Sequence, residues 1–583
     1  MYINCEVAGD SVYVWERHPD GRRLVTYPAP WNCYVEDAFG AHDTLTGHKA
    51  SYFEFDTRFE LMAATKASIS KGRKVFEGDI PPDLKILSEH YYEAEVPKLH
   101  VGYLDIEVDY KTNSYNDDFV VTARLKGTDQ NFEVAIGKVR KADDKALYEL
   151  KEPRSSEWVQ ADMSEYMYQG PTGFSSIDNP YAPINAIALN TDWDNKTYVI
   201  AVPPPTWGTD DSKWDQMLSK EFDQLGEIIL VRNEKELLVL FLSLIQDADA
   251  LIGWNSEFFD FPYIMRRVEI VLGKRGLRQL SFPQARLPKL REVEFQGRKN
   301  WTAQYGGRIL MDYMQLFKKF EMANRASYKL EVITEEIMPD LAKLHYEGTL
   351  EQLYRKDFNH FIRYNLRDTE CLCGFEAVKG YIGVANMMYH MSTGRYRDVA
   401  GTLRLADCSI INYCHYVLHK LVPNGPEVSE VLDGDDEDEK AQGALVLEPK
   451  AGMHEWIGSI DITSLYPSAI RSLNASPETL RGQFNEAIQA FEQIQKRSGV
   501  QLTFQHEGSG KYEVRTAAEW REWLIEHKYA ISGYGTAFDQ SVDGVVPTIL
   551  SDWFDKRKHY QKLKKTASNE LDALIEKYET ADE

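Results

Sequence analysis

The 583-residue sequence predicts an α/β multidomain protein. Length is the first observation: at roughly 100–200 residues per domain it accommodates about three to five domains. The second is composition. Hydrophobic residues make up 43% and aromatics 12%, enough for packed cores and too much for a mostly disordered chain. The third is patterning, since strand-like apolar runs are mixed with helical periodicity across residues 101–380.

Residues 1–100 form an N-terminal mixed β domain, in which Val12-Tyr13-Val14-Trp15 precedes the turn signal His18-Pro19-Asp20-Gly21. A second domain opens at Val101 with a short apolar strand and runs to 380. Its residues 110–180 read as polar and irregular. Ile184–Leu189 and Tyr198–Val202 read as strands around the turn Thr191-Asp192-Trp193-Asp194-Asn195, and Glu234–Ile245 as a helix leading into the strand Ala250–Gly253. Residues 381–450 form a mostly helical connection that ends in a solvated acidic loop at 429–440. A strand at Trp456–Asp461 starts the next domain, 451–546. The last stretch, 547–583, is helical: Pro547 suits a first turn, and Ile549, Leu550, Trp553 and Phe554 share a face.

The formal charge is −24, which by itself disfavours a nucleic-acid binder. Much of it is local, however. Seven of the twelve residues from Ser429 to Lys440 are Asp or Glu, whereas Lys556, Arg557, Lys558, Lys562, Lys564 and Lys565 form a basic stretch free of acids. Six cysteines in this length are no disulfide scaffold, and Cys371-x-Cys373 is too sparse for zinc. Apolar runs such as Ile228–Val231 fall far short of the ~20 residues of a membrane span. Met1-Tyr2-Ile3-Asn4-Cys5-Glu6 lacks the basic start and apolar core of a signal peptide.

Three sets of acidic residues carry chemistry. Asp105 and Glu107 stand two apart on the strand Gly102–Val108, so both carboxylates share one face while Leu104, Ile106 and Val108 point to the core. A solvated edge strand is the plain alternative; the apolar neighbours on both sides count against it, because a strand covered on its other faces must pair or metallate its acids. Asp260 follows the strand ending at Gly253 and precedes a helix, where an N-cap is the plain alternative. Tyr364 and Asp368 stand four apart on one helix face, where a Tyr–Asp hydrogen bond is the plain alternative.

In this order and spacing the three sets resemble the exonuclease motifs of family B DNA polymerases. The resemblance implies a ribonuclease H-like 3′→5′ exonuclease domain over 101–380. In it Asp105, Glu107, Asp260 and Asp368 hold metal, and Tyr364 orients the attacking water. Two divalent cations about 4 Å apart can activate that water and stabilise the leaving 3′ oxygen. All-carboxylate ligation suits Mg²⁺, with Mn²⁺ as a substitute. Trp301–Gly307 resembles the hairpin that helps separate primer from template in such domains.

A second motif extends the likeness. Gly458-Ser459-Ile460-Asp461-Ile462-Thr463-Ser464-Leu465-Tyr466-Pro467-Ser468 resembles polymerase motif A, which implies a partial palm over 451–546. Asp461 and Ile462 match its metal-binding positions. Ser464, Leu465 and Tyr466 match the turn that cradles the incoming triphosphate and excludes its 2′-OH, a strand-to-helix turn whose N–H groups suit phosphate. Gly544-Val545-Val546-Pro547-Thr548 followed by Arg557 and Lys558 resembles the start of the fingers at 547–583, where basic side chains grip the triphosphate. Gln561 stands where relatives carry a further lysine. The likeness runs toward the replicative polymerases of large tailed (T-even-like) phages, and residues 110–180 exceed the corresponding stretch there, which implies an insertion.

Two family signatures are missing from the 583 residues: Asn-Ser-x-Tyr-Gly at the end of a lysine-rich fingers helix, and Tyr-Gly-Asp-Thr-Asp, which carries the second palm aspartate. The resemblance therefore implies either a truncated sequence or, the favoured reading, the N-terminal subunit of a split replicative polymerase. This chain would hold the proofreading exonuclease and half of the polymerase site, and a second polypeptide the remaining palm, fingers and thumb. Its implied partners are primer–template and single-stranded DNA, deoxynucleoside triphosphates and a sliding clamp, with no membrane, in the cytoplasm of an infected bacterium. The competing readings are a free-standing 3′→5′ exonuclease and a non-catalytic DNA-binding scaffold.

Overall fold

In a computed structural model of the chain, all residues are described except 110–119, 126–130, 143–144, 152–158, 163–165, 170–175, 179, 181, 296, 322, 342–343, 345, 347, 399–400, 426–447, 449, 463 and 583. The acidic run 429–440 lies outside the described residues. The chain divides into two units, Met1–Ala29 with Pro82–Leu405, and Pro30–Pro81 with Ala406–Glu583. Residues of the stretch 1–100 thus contribute to both.

The first unit is built on a six-stranded sheet. Its strands are β1 (Val101–Val108), β2 (Ile184–Thr191), β3 (Lys196–Ala201), β4 (Glu227–Leu230), β5 (Ala250–Gly253) and β6 (Ile309–Asp312), in the spatial order β4-β3-β2-β1-β5-β6. β2 runs antiparallel to β1 and β3, whereas β5 is parallel to β1 and β6. Both faces are covered. On one, Leu104, Ile106, Ile187, Leu189 and Ile200 pack against Leu237, Phe241 and Leu242 of α1 (Glu234–Leu244) and Phe261, Ile264 and Val268 of α2 (Asp260–Arg278). On the other, the small residues Ala186, Ala188 and Ala201 let Phe358, Phe361, Ile362 and Leu366 approach closely. Those four belong to a 22-residue helix that is labelled α4 below, because α3 (Tyr313–Phe320) precedes it; α4 spans Phe358–Lys379.

The strands expected at Ile184–Leu189 and Tyr198–Val202 and the helix at Glu234–Ile245 are present within a residue or two. The stretch expected to be irregular is not. Val120–Leu125, Asn131–Ala142, Lys145–Lys151, Val159–Asp162 and Tyr166–Gln169 form a separate five-stranded antiparallel sheet. The alternation of Phe132, Val134 and Ile136 was already in the sequence. It was masked by the charges around it, and a sheet built by local hairpins needs only that alternation.

A three-stranded meander, Tyr2–Ala8, Ser11–His18 and Gly21–Pro28, completes the unit. Its Arg17 Nε donates to the fully buried Asp249 Oδ2 at 2.8 Å, and Arg22 reaches Asp249 Oδ1 at 3.2 Å. Asp249 also accepts from the His100 N–H at 3.0 Å, just before β1. One buried carboxylate thereby ties the N-terminal meander to the starts of β1 and β5. Neutralising it by mutation would leave the buried Arg17 guanidinium with Asp247 as its remaining carboxylate partner.

In the second unit, Asn32–Glu36, His42–Asp43, Lys49–Glu54 and Val75–Phe76 form a four-stranded sheet beside the helix Arg58–Ser70. Further on come α5 (Leu465–Leu473), β7 (Leu480–Phe484), α6 (Ile488–Lys496), β8 (Gln501–His506), β9 (Tyr512–Thr516), α7 (Ala517–Glu526), β10 (Tyr529–Ile531), β11 (Thr536–Asp539) and α8 (Val545–Asp582). The five strands order as β9-β8-β7-β11-β10, and Phe484, Phe504, Trp520 and Leu524 fill the core between sheet and helices. The helix expected from Pro547 is α8. The strand expected at Trp456–Asp461 is not formed: residues 451–462 carry neither helix nor strand, and all are exposed. A strand exists only by pairing, and among the described residues no neighbour pairs with this segment.

Candidate active site

The carboxylate pair sits where alternation puts it. Asp105 faces Ala188 and Glu107 faces Ala186 across the β1–β2 ladder, on the face that α4 crosses. Both are half-buried. The acid face of β1 is therefore a covered seam and not a solvated edge, so each acid needs a partner.

Asp260 arrives from the opposite side of the strand. After β5 ends at Gly253, the chain turns through Asn255 in the left-handed region, φ 60°, and re-enters a helix at Asp260. Glycine is required at 253, where a Cβ would lie 3.0 Å from the Leu104 carbonyl oxygen and 2.8 Å from Ser256 Cβ. The loop delivers Asp260 onto β1: the Ile106 N–H donates to its Oδ1 at 3.4 Å, and the side chain is 7% exposed. Burial, reinforced by the charges of Asp312 and Asp368, pushes the Asp260 carboxyl up to about 7. The neighbours acting on it are carboxylates, so this end of the sheet is a buried centre of negative charge.

α4 supplies the third side. Asp368 is buried and Tyr364, one turn earlier, is half-buried with its ring 5.1 Å from Tyr346 in an edge-to-face contact. Between them Asn365, fully buried, donates through Nδ2 to Asp105 Oδ2 at 2.7 Å. The structure thus brings Asp105, Glu107, Asp260 and Asp368 to one end of the sheet, with Tyr364 on the same helix as Asp368. Among the described residues no three His, Cys, Asp or Glu side chains close on a common point that could hold an ion. Asp105 accepts from the Asn365 amide and Asp260 from the Ile106 N–H. The donor set consists of hard carboxylate oxygens, which fits divalent cations.

One site residue escaped the sequence analysis. Asp312, at the end of β6, accepts from the Asn255 N–H at 2.9 Å and the Glu257 N–H at 3.3 Å, and caps α3 through Met314 N–H. It pins the loop that presents Asp260. Burial pushes it up to about 6, against the N–H groups that pull it down. The signal was a strand that ends in Asp before a helix, the same pattern as Gly253 to Asp260. The hairpin expected at Trp301–Gly307 lies earlier: Lys289–Phe295 pairs with Arg298–Gln304 and turns at Gly297, φ 72°, so Trp301–Gln304 is only the end of its second strand. Its Trp301 Nε1 donates to Asp178 at 2.8 Å.

The second candidate centre, in the other unit, is laid out differently. Asp461 and Ile462 lie in the exposed segment 451–462. Ser464 adopts the left-handed conformation, φ 56°, and α5 begins at Leu465 with Tyr466 exposed. Arg557 of α8 donates from Nη1 to Ser464 Oγ at 3.4 Å, and Lys558 lies over the Phe554 ring at 4.3 Å. Arg557 is thereby set beside the first turn of α5, the end at which N–H groups suit phosphate.

A family model described as DNA polymerase family B, exonuclease domain, matches residues 167–333, and one described as DNA polymerase family B matches residues 409–581. The DNA-directed DNA polymerase of Enterobacteria phage T4 is 30% identical over 393 residues, 65% of this chain and 40% of the relative. The DNA-directed DNA polymerase of Escherichia phage RB69 is 27% identical over 404 residues, 67% of this chain and 41% of the relative. A DNA polymerase of Thermococcus gorgonarius is 24% identical over 359 residues, 60% and 39%. The chain spans about two fifths of the length of these curated relatives. No helix among the described residues is long and apolar enough to cross a membrane.

Proposed function

Because the chain belongs to the family B DNA polymerases, we propose that its first unit is a proofreading exonuclease and its second unit holds half of a polymerase site. The exonuclease removes nucleotides from the 3′ end of single-stranded DNA. The observation that carries this reading is the meeting of three separate chain segments at the centre of β1: Asp105 and Glu107 on it, Asp260 on the Ile106 N–H, and the Asp368 helix across it.

Asp105, Glu107, Asp260 and Asp368 would hold divalent cations, Mg²⁺ or Mn²⁺. When bound, such cations favour the deprotonated form of water and stabilise charge on a leaving oxygen. Tyr364 orients the water whose oxygen attacks the terminal phosphorus. The 3′ oxygen of the preceding nucleotide leaves and a nucleoside 5′-monophosphate is released.

For polymerisation, Asp461 and Ile462 contribute one side of a metal site, Ser464, Leu465 and Tyr466 seat a deoxynucleoside triphosphate, and Arg557 with Lys558 grips its phosphates. The 583 residues contain no Tyr-Gly-Asp-Thr-Asp. That second aspartate, with the remaining palm, fingers and thumb, would have to come from outside these 583 residues. Exposure of Trp456, Ile457 and Ile460 supports this, since such a patch calls for cover.

The purified chain with Mg²⁺ should shorten single-stranded DNA from the 3′ end, and Asp105→Ala with Glu107→Ala should abolish this while the far-ultraviolet spectrum stays unchanged. Shortening from the 5′ end, or undiminished shortening by the double variant, would overturn the exonuclease reading. Robust primer extension by these residues alone would overturn the split polymerase site.

A further inference from the structure

Asn365 lies inside the third motif, between Tyr364 and Asp368, but the motif's spacing gives it no role, and it contacts the carboxylate of the first motif. It lies on α4 between Tyr364 and Asp368 and is 0% exposed. Its Nδ2 donates to Asp105 Oδ2 at 2.7 Å and approaches the Asp105 main-chain oxygen at 3.4 Å. One amide thus holds both the side chain and the backbone of the same residue. Its Oδ1 is buried without a hydrogen-bond partner among the described residues. Turning the amide over would set that oxygen against a carboxylate, so the orientation is fixed by electrostatics.

A buried polar group that leaves half its capacity unused costs stability. A leucine has the same branching and no polar atom, and would avoid that cost. An amide at this place is explained by what it does for Asp105. It differs from a lysine or arginine in one respect that matters. It fixes the plane of the carboxylate but brings no positive charge, so the negative charge remains for a cation.

Resting on the exonuclease reading above, we propose that Asn365 is a positioning residue that orients the Asp105 carboxylate for divalent-cation binding. Outer partners of this kind orient ligands, and their loss typically weakens metal affinity 10–100-fold, by about one to two powers of ten.

The test is calorimetric titration of the full chain with Mn²⁺ alone, alongside single-stranded DNA hydrolysis. Asn365→Leu should bind Mn²⁺ about tenfold or more weakly. It should lower kcat with an unchanged KM for DNA, and unfold at a temperature near that of the unsubstituted protein. In an Asp105→Ala background the same substitution should add no further loss, because the partner through which it acts is gone. Unaltered Mn²⁺ affinity in Asn365→Leu, or an equal loss in both backgrounds, overturns the inference. Should Asn365→Leu fail to fold, Asn365→Ser takes its place in the same titration, and failure of both would make Asn365 a purely structural residue. Absence of Mn²⁺ binding by the unsubstituted chain would count against the exonuclease reading instead.

Discussion

The two candidate centres contrast in how they are held. Around β1, every acid is set by an element packed for its own reasons: a strand covered on both faces, a loop forced by Gly253, a helix seated on alanines. At Asp461 nothing of the kind surrounds the key residue. Trp456 is 99% exposed and Ile460 94%, on a segment with no ladder partner among the described residues. Both centres have their chemistry-bearing residues, but only the first also has its scaffold within the 583. A motif specifies which atoms react, whereas the apolar residues around it specify whether those atoms are held.

Three experiments probe this contrast. The largest effect is expected from Asp368→Ala, which should lower exonuclease turnover by at least about 10³-fold, the scale of losing one member of a catalytic set. Asp461→Ala should leave the same assay unchanged. An exonuclease loss in Asp461→Ala would dissolve the distinction between the centres.

A second, intermediate effect concerns Asp260. Its folded carboxyl is pushed up to about 7 from an ordinary 3.8. Between those values the folded chain holds the proton more tightly than the unfolded chain does. Stability without metal therefore falls as pH rises through that window, and the full penalty is present above it. Asp260→Asn, which keeps an oxygen for the Ile106 N–H, should raise the metal-free stability of this unit at pH 8 by an amount on the order of 1 kcal/mol. It should also abolish the thermal shift that Mg²⁺ gives the unsubstituted protein. Equal melting of the two proteins at pH 8, followed by calorimetry, would show that the acids around β1 are not under electrostatic strain.

The smallest effect is expected at the exposed segment. Trp456→Ser with Ile460→Ser should change unfolding free energy by no more than about 0.5 kcal/mol, as for other surface positions. Binding of an apolar dye should fall. A large loss of stability would mean that the segment is packed in solution.

The first centre was legible in the sequence for a physical reason. Period-two alternation puts Asp105 and Glu107 on one face whatever the sheet is, and a four-residue step puts Tyr364 and Asp368 on one side of a helix. What was not legible depended on distant partners. Asn365 reads as an indifferent helix residue until Asp105, 260 positions away, comes within 2.7 Å. Asp312 reads as a helix cap until Asn255 and Glu257 donate to it as well. Trp456–Asp461 has the composition of a strand, but composition supplies no second strand to pair with. The sheet within 120–169 was overlooked for the opposite reason: its hairpins are local, but charged residues dilute the alternation.

The tie between Arg17 and Asp249 has a consequence for biogenesis. The two residues are 232 positions apart, and Tyr2 finds its acceptors on Tyr389 and Gly394, nearly 400 positions away. At about 5–20 residues per second, a ribosome needs on the order of ten to fifty seconds to deliver Asp249 after Arg17, and longer still to deliver Tyr389. For that interval the N-terminal meander exists with its apolar side uncovered and its arginine unpaired. The first strands made are thus among the last to be locked, and contacts of such separation slow folding relative to a protein closed by neighbouring contacts.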